Sequence, residues 1–181
     1  LGDNIYPSGA TAGADGRDDA RRFDDLLYRP YIGLRQENPE FVIHAVLGNH
    51  DWETSREGAI AQVDWMQASS LYRMPGLFYS VQAAPGVELF AIDSTVLLAG
   101  HTVYEEEIAE DGRAIASTIV EEPDPWAVPR GAEREMAAWL EQALRESTAR
   151  WKIVIAHHPI WSSSSGKYGQ AKVLRETVLP A

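Results

Sequence analysis

Three short blocks place oxygen and imidazole side chains directly after apolar residues: Leu1-Gly2-Asp3-Asn4-Ile5-Tyr6, Leu47-Gly48-Asn49-His50-Asp51 and Ala156-His157-His158-Pro159. Loops that follow buried strands are where α/β folds collect ligands, so the blocks read as three edges of one site. The chain has no cysteine, which leaves carboxylate, imidazole, amide and phenolate as its metal donors. The chemistry that suits such a set is phosphate-ester hydrolysis, which needs a nucleophile, a counter-charge for the transferred group and a proton for the leaving oxygen. Two metal ions about 3.5–4 Å apart supply the first two. A carboxylate that bridges them is the natural device, and Asp3 suits that role because a strand end would fix its backbone while the loop leaves it open.

The elements that must position these blocks alternate along the chain. Residues 6–16 are rich in Gly, Ala, Pro and Ser and read as a loop, and Arg17 to Leu34 carries Phe23, Leu26, Leu27, Tyr31 and Leu34 at helical spacing, interrupted at Pro30. Glu40 to Leu47 is a strand-length apolar run of the kind buried on both faces of a sheet. Gly58 to Ser69 reads as a helix. Leu77 to Gln82 and Val87 to Asp93, joined by Ala84-Pro85-Gly86, read as an antiparallel hairpin. From Thr102 to Arg130 acidic residues collect (Glu105, Glu106, Glu107, Glu110, Asp111, Glu121, Glu122 and Asp124) with Pro123, Pro125 and Pro129, and this segment reads as an inserted, solvated loop. Ala132 to Ser147 is a packing helix with Met136, Trp139, Leu140, Ala143 and Leu144 in one stripe. Trp151 to Ala156 reads as a further buried strand, followed by a small-residue loop from Ser162 to Gly169.

Hydrophobic types make up 45% of the 181 residues, enough for one domain with a substantial core, and 1–181 is taken as that domain. A net charge of -11 without a Lys/Arg cluster argues against nucleic acid as the main partner. No apolar run approaches the ~20 residues that span a bilayer. Leu1-Gly2-Asp3 reads as the end of a strand whose earlier residues are missing. Val173 to Ala181 reads as a helix leading toward a further strand, so the expectation is an internal fragment of a larger domain.

The blocks Gly2-Asp3, Gly48-Asn49-His50-Asp51 and His157 resemble, in order, three signature motifs of the calcineurin-like metallophosphoesterases, and the Tyr at position 6, three after Asp3, resembles the purple-acid-phosphatase branch. The resemblance implies a layered α/β β-sandwich flanked by helices. It implies Asp3 as the bridging metal ligand, Tyr6 as a ligand of the first metal, Asn49 and His157 as ligands of the second, and His50 as the catalytic residue facing the substrate. It also implies Fe3+ paired with Fe2+, Zn2+ or Mn2+, a small phosphate-ester substrate attacked by a metal-bound hydroxide, and an extracytoplasmic site of action. A phenol, with an ordinary pKa of about 10, ligates well only when a strongly charged metal removes its proton. The family's Asp motif before Asp3 and its Gly-His-x-His motif after His157 are not in this sequence, so the chain by itself is expected to bind metal weakly and to be poorly active. Two other readings stay open: a phosphodiesterase or nucleotidase with two divalent metals, Tyr6 then lying outside the metal shell, and a non-catalytic binding domain on the same fold.

Plainer roles fall to the neighbouring residues. Asp51 is expected to orient its loop. Adjacent residues on extended backbone point oppositely, so one of His157 and His158 is a ligand and the other packs. His44 reads as a hydrogen-bonded core imidazole and His101 as a turn residue. Ser162 to Tyr168 reads either as a mobile rim that touches substrate or as a connector. Oligomeric state is not encoded in any of these patterns.

Overall fold

Apolar runs and helical stripes interleave along the chain, and the computed structural model realises them as a mixed α/β fold. It describes residues 2–13, 19–101, 103–121, 128–162 and 165–178. Expectations that rest on Leu1, on 14–18, Thr102, 122–127, Ser163, Ser164 and 179–181 lie outside these. The strands are β1 (Ile43–His44), β2 (Tyr72–Arg73), β3 (Phe78–Ala84), β4 (Val87–Ile92), β5 (Val103–Ile108), β6 (Ala114–Glu121) and β7 (Trp151–Ile155). The helices are α1 (Asp19–Phe23), α2 (Ile32–Glu37), α3 (Asn49–Trp52), α4 (Arg56–Ala68), α5 (Ser94–Leu98), α6 (Ala132–Glu146) and α7 (Ser165–Val178). They group into two compact units, Leu1–Asp93 with Thr148–His157, and Ser94–Ser147 with His158–Ala181.

In the first unit the helical pattern before residue 34 is realised in pieces: α1, a π turn over Asp24–Tyr28, and α2. Pro30 lies in the break, where its missing N–H and its ring stop a continuous helix. Ser55 caps α4, its hydroxyl accepting from the Gly58 N–H at 2.9 Å. Ala59, Val63 and Met66 then face the core at i, i+4 and i+7.

The apolar run 40–47 is a strand over only two residues, β1, which pairs in parallel with β2. Ala45, Val46 and Leu47 are buried as expected. Their backbone partners are side chains as well as strand: the Tyr79 hydroxyl donates to the Ala45 carbonyl at 2.8 Å, and the Asn4 amide donates to the Val46 carbonyl at 2.9 Å. Buried carbonyls need a partner of some kind, and here the ladder stops because side chains supply it. Burial pushes the Tyr79 hydroxyl up to about 12, so it remains a donor.

The hairpin read from 77–93 is present as β3 and β4, antiparallel, with Gly86 at φ 75° in its turn. β7 adds in parallel to the other edge of β4. The expectation that β7 is buried does not hold. Trp151 and Ile153 are 60% and 43% exposed, because an apolar run marks a strand without marking what covers it. The core of the unit is built from Ile5, Leu47, Met66, Leu71, Phe90 and Ile92.

In the second unit the segment read as a solvated loop is largely a hairpin. β5 and β6 pair antiparallel from Val103↔Glu121 to Ile108↔Ala114. The acidic residues hid two ordinary strand signals, the β-branched run Thr118-Ile119-Val120 and the Asp111-Gly112 turn, where Gly112 has φ 83°. α6 forms where its stripe placed it, with Met136 and Leu140 buried. Lys167, Tyr168 and Gly169, expected in a loop, belong to α7, which buries Ala171 and Leu174 and packs on α5 and β5.

Candidate metal centre and catalytic histidine

The site is assembled at the junction between the Gly2–Tyr6 loop and the start of α3. Gly48 is the N-cap of α3, and a Cβ there would fall 2.5 Å from the Asp3 nitrogen and 2.8 Å from the His157 ring. A Cβ on Gly2, at φ 77°, would meet the same ring at 2.6–2.7 Å. Only glycine lets the three blocks approach this closely. Asp3 itself takes a left-handed backbone at φ 51°, a strained conformation for a side-chain-bearing residue and of the kind that collects at functional sites.

Asp51 locks the junction. Its fully buried carboxylate accepts from the Asn4 N–H (2.9 and 3.1 Å), the Asn4 side-chain amide (3.0 Å), the Ile5 N–H (3.2 Å) and the Gly48 N–H (2.9 Å). Burial raises its carboxyl above the usual carboxylate range, against the pull of the Gly48, Asn4 and Ile5 N–H groups toward the charged form. The expected role of orienting the loop is thus visible in its contacts. The same contacts give Asn4 a part that the sequence did not reveal.

Asp3 is where the chemistry-bearing groups meet. Its Oδ2 accepts from the Tyr6 hydroxyl at 2.6 Å and lies 3.3 Å from His157 Nε2, and its Oδ1 accepts from the His50 N–H at 3.1 Å. The bond to Asp3 is the main cause that raises the Tyr6 phenol above its ordinary value, with burial and the charges of Asp3 and Asp51 adding to it. The His50 ring lies against that of Tyr6, centroids 4.7 Å apart, and its Nδ1 contacts the Pro7 carbonyl (2.6 Å) and the Glu53 carboxylate (2.9 Å). Partial burial lowers the imidazole's pKa, but Pro7, Asp3 and Glu53 together raise it above the usual histidine value.

Asp3, Tyr6, His50 and His157 are therefore brought together. Asn49 sits beside His50 in the first turn of α3, yet its amide forms no hydrogen bond among the described residues. His158, in the bend that follows β7, has other partners: it is buried, its N–H donates to Ser94 Oγ at 2.9 Å, and its Nδ1 lies 2.9 Å from the same oxygen. His44 departs from its expectation. It is half-buried, and its Nδ1 finds no hydrogen-bond partner among the described residues, while burial first and the charge of Arg73 second lower its pKa. His101 is exposed, its N–H closing a turn on the Leu98 carbonyl. Glu53 was missed because an exposed acid reads as solvated. Its signal was the i, i+3 spacing from His50.

Among the described residues no group of three or more His, Asp or Glu side chains forms a metal cluster. The donors that do converge are one carboxylate, one phenol and one imidazole, a set whose oxygen content suits a hard, highly charged cation. The set fits part of a metal centre.

The calcineurin-like phosphoesterase model matches residues 1–180, and the chain belongs to that family. Among curated proteins it is similar to three purple acid phosphatases of Arabidopsis thaliana. It is 29% identical to purple acid phosphatase 3 over 180 residues, which cover 99% of this chain and 42% of that protein. Purple acid phosphatase 17 is 28% identical over 179 residues, 99% of this chain and 46% of the relative. Purple acid phosphatase 4 is 27% identical over 180 residues, again 99% and 46%. The chain thus spans less than half the length of the curated relatives it matches. Family and relatives alike imply a metal cofactor.

Proposed function

We propose that the full-length protein hydrolyses phosphate monoesters at a dinuclear metal centre of the purple-acid-phosphatase kind. The observation that carries this reading is the convergence of the Tyr6 hydroxyl and His157 Nε2 on Asp3 Oδ2, with His50 alongside. Asp3 would bridge the two ions, Tyr6 would hold Fe3+, and Asn49 and His157 would hold Fe2+, Zn2+ or Mn2+. When bound, the ions would supply an acidified water and the positive charge that offsets the transferred phosphoryl group. The chain's own contribution is positional. Asp51 fixes the backbone on either side of Asp3, the two glycines bring His157 to it, and His50 gives a proton to the leaving alkoxide.

A phosphodiesterase or nucleotidase using two divalent ions is the second reading. What favours it is that the exposed Tyr6 hydroxyl lies 2.6 Å from Asp3 Oδ2, within reach of Asp3 from outside a metal shell. An extracytoplasmic site of action belongs to the same proposal and is supported by the resemblance to purple acid phosphatases. Among the described residues no helix is long and apolar enough to cross a membrane.

Metal analysis and phosphatase assay of two variants test the assignment of roles. Asn49→Ala is expected to lose about one metal per chain together with activity. His50→Ala is expected to keep both metals while kcat falls on the order of 10²–10⁴-fold, the usual cost of removing a general acid. Metal loss in both variants would overturn the role given to His50.

A further inference from the structure

Both partners of His50 Nδ1, the Pro7 carbonyl at 2.6 Å and the Glu53 carboxylate at 2.9 Å, are acceptors, so Nδ1 carries a hydrogen and Nε2 is the nitrogen left for other work. The Tyr6 ring closes a further side of the imidazole. The Pro7 carbonyl is fixed by the loop backbone. Glu53 reaches the ring from the C-terminal end of α3, one helical turn after His50. Its side chain is 58% exposed, and an ion pair of that exposure contributes little to fold stability. Its value must then lie in what it does to His50.

We propose that Glu53 is a positioning residue for His50: its carboxylate, with the Pro7 carbonyl, holds Nδ1–H both in the imidazolium that gives up its Nε2 proton and in the neutral Nδ1–H ring left behind, and so sets the direction in which Nε2 points. This rests on the proposed role of His50 as proton donor to the leaving group. Glu53 touches neither metal nor substrate and acts only through the ring. A disordered or rotated ring would present Nε2 for a smaller share of the time, which lowers kcat where the leaving oxygen needs a proton and leaves KM alone. An activated ester, whose leaving group departs without a proton, would be insensitive.

The test compares Glu53→Ala and Glu53→Gln in the metal-loaded full-length protein on glycerol phosphate and on p-nitrophenyl phosphate. Glu53→Ala is expected to lower kcat on glycerol phosphate about tenfold, with KM within twofold and kcat on the nitrophenyl ester little changed. Glu53→Gln is expected to recover most of that loss, because its amide oxygen still accepts from Nδ1–H. A second reading needs no turnover: long-range 15N spectra of the metal-free protein should show the neutral His50 ring chiefly as the Nδ1–H tautomer, and a smaller Nδ1–H share in Glu53→Ala. Equal losses on both esters, or an unchanged tautomer share, would overturn the proposal. If the wild type hydrolyses neither ester, the phosphatase reading fails, and the tautomer measurement alone decides whether Glu53 holds the ring.

Discussion

Asp51 and Asp3 are both carboxylates of the same junction, and their surroundings are opposite. Asp51 is sealed from solvent and accepts from N–H groups of Asn4, Ile5 and Gly48, every one supplied by a neighbour that the fold needs in place. Asp3 accepts a single backbone N–H, from His50, and turns its other oxygen toward a phenol and an imidazole that each have chemistry of their own. One cluster is complete. The other keeps one backbone N–H on Oδ1 and offers Oδ2 to side chains that a cation would displace or recruit. In the proposed reading, holding and reacting meet at one junction, with Asp51 in the first role and its neighbours Asn49 and His50 in the second.

Removing the Asp51 carboxylate is the most severe way to break the comparison. Asp51→Ala leaves buried N–H groups of Asn4, Ile5 and Gly48 without acceptors, at about 1–3 kcal/mol each. Because relaxation recovers part of that, a net loss of about 3–5 kcal/mol is expected, a large share of the stability of an ordinary domain. A denaturant titration would read it as a lowered midpoint at unchanged slope. Asp3→Asn should do the reverse. Its oxygen can still accept from the His50 N–H, so stability is expected to stay within about 1 kcal/mol of wild type. Metal binding and turnover should fall together, activity on the order of 10³-fold, in line with the several kcal/mol that metals contribute to phosphoryl transfer. If Asp3→Asn unfolds the protein while Asp51→Ala leaves it folded and inactive, the two carboxylates have been assigned the wrong way round.

The same contrast shows what could be read from sequence. The three blocks were readable because each interrupts apolar residues with groups that a buried core does not tolerate, whereas the close approach that requires glycine at 2 and 48 shows only in the structure. α4 and α6 were readable from their stripes, although α4 starts at Arg56, two residues before the expected Gly58, because Ser55 caps it. The β5–β6 hairpin was hidden because acidic residues on a paired strand look like a solvated loop until the partner strand is known. The short length of β1 was hidden for a related reason. Whether a buried carbonyl is met by a strand or by Tyr79 and Asn4 depends on residues far away in sequence. His44 shows the limit on the polar side, since burial could be inferred from its place in an apolar run but a hydrogen-bond partner could not.

In the proposed centre, Tyr6 gives up its proton to bind iron beside Asp3. The visible absorption spectrum of the full-length, iron-loaded protein tests it most directly, since a tyrosinate bound to Fe3+ gives an intense charge-transfer band. A coloured wild type is expected, and a Tyr6→Phe variant that keeps iron but loses the band. A wild type that is active and colourless, with a Tyr6→Phe variant equally active, would contradict it and favour the two-divalent-metal reading.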